Sequence, residues 1–198
     1  MSVKEALALF AMFLAVYCVV PYIKGILAGT NKPHLFTWII FTLITGIVAA
    51  VQFAESAGPG KWVLIVNALG CVVIVALSFK LGNKDIKRSD WVALAGAFLA
   101  IPVWLTTDNP LGAILIAITI ELFAFYPTLR KSWAKPHEEV AQTWLLGGGM
   151  FIISVAALEQ ASFTTAAYPL FAAFLNLLLV AVLLYRRRVM ELPPAING

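Results

Sequence analysis

Charge is what this chain has least of. Only 12% of its 198 residues are Asp, Glu, Lys or Arg, against 62% hydrophobic residues, and its mean hydropathy is +0.92. A water-soluble domain carries roughly twice that share of charge on its surface, so a soluble enzyme or regulatory domain is excluded. Cysteine is equally scarce. Cys18 and Cys71 lie alone in separate apolar segments, without a C-x-x-C or a His/Cys ligand spacing, which leaves no basis for a disulfide framework, a zinc site or a thiol oxidase. Both read as small packing residues. No Ser-His-Asp set, phosphate-cradling glycine loop or nucleotide motif is present. The last apolar segment lacks the lysine that a retinal Schiff base needs. His34 and His137 stand beside prolines in basic loops, where a helix-start role is the simple reading. The chain therefore reads as neither an enzyme nor a cofactor protein.

What it does have is long apolar runs. Seven stretches, about 5 to 23, 34 to 53, 62 to 79, 91 to 106, 111 to 127, 140 to 158 and 163 to 185, are separated by charge, Pro or Gly. They are too long for strands and lack the alternation of an outer-membrane barrel, so an all-α bundle of seven transmembrane helices is expected. Breakers fall between them at Gly29 to Pro33, Gly58-Pro59-Gly60, Asp108-Asn109-Pro110 and Lys135-Pro136. Twelve of the fourteen Lys and Arg residues fall in the loops 24 to 33, 80 to 90 and 128 to 139 and in the tail after 185, leaving only Lys4 and Lys61 on the other side. The positive-inside rule then puts the N-terminus outside and the Arg186-Arg187-Arg188 tail in the cytoplasm. Residues 1 to 23 are read as the first span rather than a cleaved signal, because no small-x-small site follows them. The excess of positive charge orients the chain and contacts lipid; it does not indicate nucleic acid. A prokaryotic inner membrane is the expected compartment.

An internal repeat organises the spans. An offset of 106 residues aligns Pro21 with Pro127, Lys24 with Arg130, Thr37 with Thr143 and Trp38 with Trp144. Lys32-Pro33-His34 and Lys135-Pro136-His137 agree in character, displaced by three residues. The expected organisation is a first three-helix repeat over 1–86, a linker helix over 87–108, and a second three-helix repeat over 109–198 with the basic tail. Parallel duplications of this kind place a solute pathway between the repeats.

The proline followed three residues later by a basic residue, Pro21-Tyr22-Ile23-Lys24 and Pro127-Thr128-Leu129-Arg130, together with the 3+1+3 pattern, resembles the SWEET and PQ-loop superfamily of small transporters. The likeness covers nearly the whole chain. The family's Gln after the proline is Tyr22 in one half and Thr128 in the other, as in a divergent branch. The resemblance implies a pocket Asn on the third helix of each unit, and Asn67 and Asn176 lie at about those positions. The Trp that partners this Asn in sugar carriers is replaced within Ala49-Ala50-Val51-Gln52 and Val155-Ala156-Ala157-Leu158, so the solute stays unnamed.

Glu121 is the sharpest single signal, an acid in mid-span with no Lys or Arg at helical spacing. A carboxylate at that depth costs about 2.5 to 3.5 kcal/mol on insertion scales, so it faces the bundle interior and has a partner or a task. It reads as a proton-coupling or solute-binding group, with structural hydrogen bonding as the alternative. Asn67 and Asn176 are either a pseudo-symmetric grip on the solute or interhelical hydrogen bonds. Pro21 and Pro127 are read as hinges, or else as helix ends. Trp38 and Trp144 are expected as interface anchors, with an inner gate as the alternative; Tyr126 is likewise a gate or interface candidate, and like Tyr168 it is either within reach of a pocket or a packing residue. Gln52, Glu159 and Gln160 are expected to be solvent-exposed. Thr42, Thr45, Thr119 and Ser154, if they face Glu121, favour a carrier. These expectations combine into a secondary carrier for a small polar solute, working by alternating access and able to couple to protons. No metal or cofactor is called for, and the oligomeric state is left open. The alternative on the same fold is a receptor or accessory subunit that carries no flux.

Overall fold

The computed structural model describes residues 1–83, 86–106 and 109–190; residues 84–85 and 107–108, the breaker Asp108 among them, and the tail from 191 lie outside them. The described residues form seven α-helices: α1 (Val3–Leu27), α2 (Leu35–Ala54), α3 (Lys61–Leu81), α4 (Arg88–Thr106), α5 (Pro110–Ala134), α6 (Ala141–Ala156) and α7 (Phe163–Val189). A 3-10 turn at Pro136–Glu138 precedes α6. Five of them, α1, α2, α3, α5 and α7, are long and apolar enough to cross a membrane, so the chain is a multi-pass, all-α membrane protein. At 16 residues α6 is apolar but shorter, about 24 Å at 1.5 Å per residue.

Local chemistry sets the ends. Ser2 and Glu5 form a reciprocal capping box at the start of α1, and Ser162 and Thr165 form one at α7. Asn109 caps α5 by accepting from the Gly112 amide, with Pro110 at the first helical position. Gly29, at φ 72°, takes the left-handed backbone that lets the chain leave α1. The helices outrun the apolar stretches: α1 continues to Leu27 and α5 to Ala134, so Pro21 and Pro127 sit inside helices rather than at their ends. Both helices carry on as a polar turn beyond the apolar run, because Lys24, Arg130 and Lys131 are good helix formers.

Packing sorts the helices into two groups of three. In one, α3 packs against both α1 and α2; in the other, α7 packs against both α5 and α6. The groups meet where α1 lies on α6 and α2 on α5, and α4 packs outside them against α5 and α2. The loops rich in Lys and Arg gather at one end of the bundle, hereafter the basic end. The α2–α3 and α6–α7 loops meet at the other end, where the Glu159 amide donates to the Ala57 carbonyl at 3.0 Å.

Candidate functional site

A cavity of about 50 Å³ lies between the two groups, large enough for roughly three to five water molecules. All six helices of the groups line it; among the described residues, none of α4 does. Glu121 comes from α5, Asn67 from α3 and Asn176 from α7, so three polar residues spread over 110 positions of sequence converge on one space. Trp38, Phe41, Trp144, Phe151 and Tyr168 supply aromatic wall, and Thr45, Cys18, Cys71 and Gly147 complete much of the rest.

The hydrogen bonds inside this space are unequal. Tyr168 donates its hydroxyl to Glu121 Oε2 at 3.1 Å, while Glu121 Oε1 has no partner among the described residues. Asn176 donates through Nδ2 to its own helix at the Ala172 carbonyl, 2.7 Å away, which turns Oδ1 toward Gly147. A Cβ at position 147 would lie 2.7 Å from that oxygen, so the glycine is what makes room for the amide. Asn67, half-buried, makes no side-chain hydrogen bond among the described residues. Among the described residues, no Lys or Arg side chain lines the cavity.

The helices that carry Pro21 and Pro127, α1 and α5, are each clasped by the opposite group. A proline removes the N–H that would bond the carbonyl four residues back and opens that turn of the helix. In α1 the Cys18 carbonyl, three residues before Pro21, accepts the Thr143 hydroxyl of α6 at 2.9 Å. In α5 the Ala124 carbonyl, three residues before Pro127, accepts the Thr37 hydroxyl of α2, also at 2.9 Å. Donor and acceptor in the two clasps are each separated by the same offset of 106 residues. Within a membrane, Ser and Thr hydroxyls from neighbouring helices are the natural partners for carbonyls loosened by proline.

Toward the basic end the cavity is floored by Trp38 and Trp144, whose ring centroids are 6.0 Å apart. These indoles are buried, which corrects their expected role as interface anchors. Their N–H groups find partners inside the protein: Trp38 donates to the Tyr22 hydroxyl at 3.2 Å and Trp144 to Glu139 Oε1 at 3.1 Å. Glu139 also pairs with Lys131, whose ammonium donates to the carbonyls of Lys32 (2.9 Å) and Glu138 (3.0 Å) as well. This buried knot ties α5, the loop before α2 and the start of α6 together. Beside it, His34 Nε2 donates to Asp90 Oδ2 of α4 at 3.1 Å, and Arg130 approaches the same oxygen at 3.7 Å. Burial holds the His34 imidazole below its usual range, and the facing Asp90 only partly offsets this. His34 therefore ties α2 to α4 rather than capping α2, where its side chain makes no cap bond. His137 is exposed.

The other end is closed by a different set of contacts. Gln52, expected in solvent, is buried and donates to the Thr165 carbonyl at 2.7 Å. Gly60 sits so close to α6 that a Cβ there would lie 2.6 Å from the Ser154 carbonyl. Glu159 and Gln160 are exposed as expected.

Other expected residues fall elsewhere. Tyr126 points outward from α5 and is 54% exposed, so it is no gate to this cavity; it follows the outer stripe of the helix with Leu122 and Phe123. Of the four hydroxyl residues looked for around Glu121, only Thr45 lines the cavity; Thr42, Thr119 and Ser154 bond to carbonyls of their own helices. Lys131, Glu139 and Asp90 were not singled out in the sequence, because a buried ion pair at a helix end has the same local signature as a solvated loop.

No family model, curated protein or solved structure matches the chain.

Proposed function

We propose that this chain is a secondary carrier that moves a small polar solute by alternating access. The observation that carries the reading is the convergence of Glu121, Asn67 and Asn176 on one cavity between two groups of three helices. An ionisable side chain, the free oxygen of one amide and a second amide without a side-chain partner, all facing an internal space, have the character of a transport site rather than of packing. In this reading, residues 1–86 and 109–198 are parallel repeats of SWEET and PQ-loop type, joined by the linker 87–108. Exchanging α1, α2, α3 with α5, α6, α7 leaves the packing scheme unchanged, and the two threonine clasps obey the same exchange, which supports the duplication. The basic end is cytoplasmic and the N-terminus outside, in a prokaryotic inner membrane.

The contact sets at the two ends act as alternating seals. The Lys131–Glu139–Trp144 knot with the paired indoles closes the cytoplasmic side, and Gln52 with the Gly60 contact closes the outer side. Pro21 and Pro127 let α1 and α5 bend as one seal opens and the other holds. The test is solute-dependent current or uptake in proteoliposomes, surveyed with pooled metabolites at two pH values and compared with Glu121→Gln. Flux that the substitution abolishes supports the carrier, and a pH-dependent current adds proton coupling. Folded protein that moves no solute, by current or by uptake, overturns the reading in favour of a receptor or accessory subunit.

A further inference from the structure

The hydrogen-bonding inventory of the cavity says what kind of solute it can hold. Its donors are nearly all spent. The Trp38 and Trp144 N–H groups point away to Tyr22 and Glu139, the Thr143 hydroxyl goes to the Cys18 carbonyl, and the Cys18 thiol goes to the Ala15 carbonyl. Tyr168 gives its proton to Glu121, and the Asn176 N–H₂ goes to Ala172. What remains toward the space is mostly acceptor: Glu121 Oε1 and Asn176 Oδ1, with the Asn67 amide and the Thr45 hydroxyl beside Tyr168 able to serve in either sense.

An anion would meet this carboxylate without a cation to offset it. A neutral polyol would need several donors and acceptors, and would leave the ionised form of Glu121 buried and uncompensated. A cation answers both needs, since it neutralises the carboxylate and its alkyl or N–H surface is attracted by aromatic rings. Trp38, Phe41, Trp144, Phe151 and Tyr168 all lie on the wall. A cavity of about 50 Å³ limits the guest to a few non-hydrogen atoms in this conformation.

We infer that the solute of this site is a small organic ammonium ion, held by Glu121 and the Asn176 carbonyl oxygen within an aromatic wall. The inference rests on the carrier reading for its transport role, but the binding chemistry stands on the cavity alone. Tetramethylammonium is the decisive probe because it cannot lose a proton, and tert-butanol matches it in size without the charge. The experiment is equilibrium binding of radiolabelled tetramethylammonium to the full chain in nanodiscs, with competition by tert-butanol, formate, potassium and ethylammonium. The expected result is saturable binding displaced by ethylammonium but not by tert-butanol, formate or equimolar potassium. Glu121→Gln should weaken it roughly thirtyfold or more, the effect of removing one partner from a desolvated charge pair. Glu121→Asp, which keeps the charge, should retain much of it and guards against a folding defect in the glutamine variant. No saturable binding by folded protein, equal displacement by tert-butanol or potassium, or an unaltered Glu121→Gln overturns the inference. Uptake in proteoliposomes separates the two claims. Cation binding without flux of any solute refutes the carrier and leaves the ligand class, whereas flux of an uncharged solute without cation binding refutes the ligand class and leaves the carrier.

Discussion

Replacing Lys131 by Met tests whether the knot at the basic end holds the two halves together. The side chains of Lys131 and Glu139 are 5% and 1% exposed, and the ammonium has three acceptors: Glu139, the Lys32 carbonyl and the Glu138 carbonyl. Removing it leaves a buried carboxylate with the Trp144 N–H and the nearby Tyr22 hydroxyl as donors but no counter-charge, and orphans two carbonyls from their side-chain partner. Breaking a buried pair from one side costs about 3–5 kcal/mol, far above the value below about 1 kcal/mol of an exposed pair. Glu139→Gln alone should cost a similar amount, because the ammonium then lacks its counter-charge. The double variant Lys131→Met with Glu139→Gln removes both charges and keeps an acceptor for Trp144. It should be less destabilised than the sum of the singles by about 2 kcal/mol or more. Reversible unfolding in mixed detergent micelles, followed by tryptophan fluorescence, measures the cycle. Additivity within about 0.5 kcal/mol, or single losses below about 1 kcal/mol, would refute the reasoning, since the pair would then behave as a solvated one.

Three further outcomes are expected. Thr143→Val should lose about 0.5–1.5 kcal/mol of stability in the same assay, the worth of one hydrogen bond, and Thr37→Val at least as much, because its hydroxyl also meets His34 Nδ1 and the Thr128 hydroxyl, each at 3.4 Å. Gly147→Ala should cost about 1–3 kcal/mol by driving the Asn176 amide off the Ala172 carbonyl, whereas Gly149→Ala, with nothing within 4 Å of its Cβ, should be neutral or stabilising by up to about 1 kcal/mol; thermal stability compares the two. Because burial lowers the folded-state pKa of His34 below its ordinary 6.5, the unfolded chain takes up this proton at higher pH than the folded one. Stability from this group is therefore complete above pH 6.5 and is lost as pH falls through 6.5 toward the folded value. Stability measured from pH 7.5 to 5 should fall in the native chain, and His34→Gln should flatten that part of the curve.

Much of the fold was legible because the bilayer makes the rules simple. Backbone polar groups have no partner in lipid, so an apolar run of about 20 residues can only be a helix, and its place in the chain follows from the breakers. The helix ends were less legible, since Lys24 and Arg130 stop an apolar count without stopping a helix. Glu121 and the two asparagines stood out for the same reason the helices did: polar groups in hydrocarbon are costly and conspicuous. Trp38 and Trp144 were misread because an indole at the end of an apolar run looks the same whether its N–H meets water or Tyr22 and Glu139. Gln52 was misplaced on similar grounds, by nearness to a helix end.

Composition and spacing thus determined the class of protein, the course of its helices, the breakers between them and the polar residues that needed an explanation. They follow from transfer energies that depend on residue type and local run length. The tertiary structure alone decided that Glu121, Asn67 and Asn176 share one cavity, that Tyr126 faces outward, and that α1 and α5 are each clasped near their proline by a threonine from the opposite group. It also decided which donors are already spent. The direction and occupancy of a hydrogen bond depend on the rotation of each helix about its own axis, which packing sets and a linear pattern does not record.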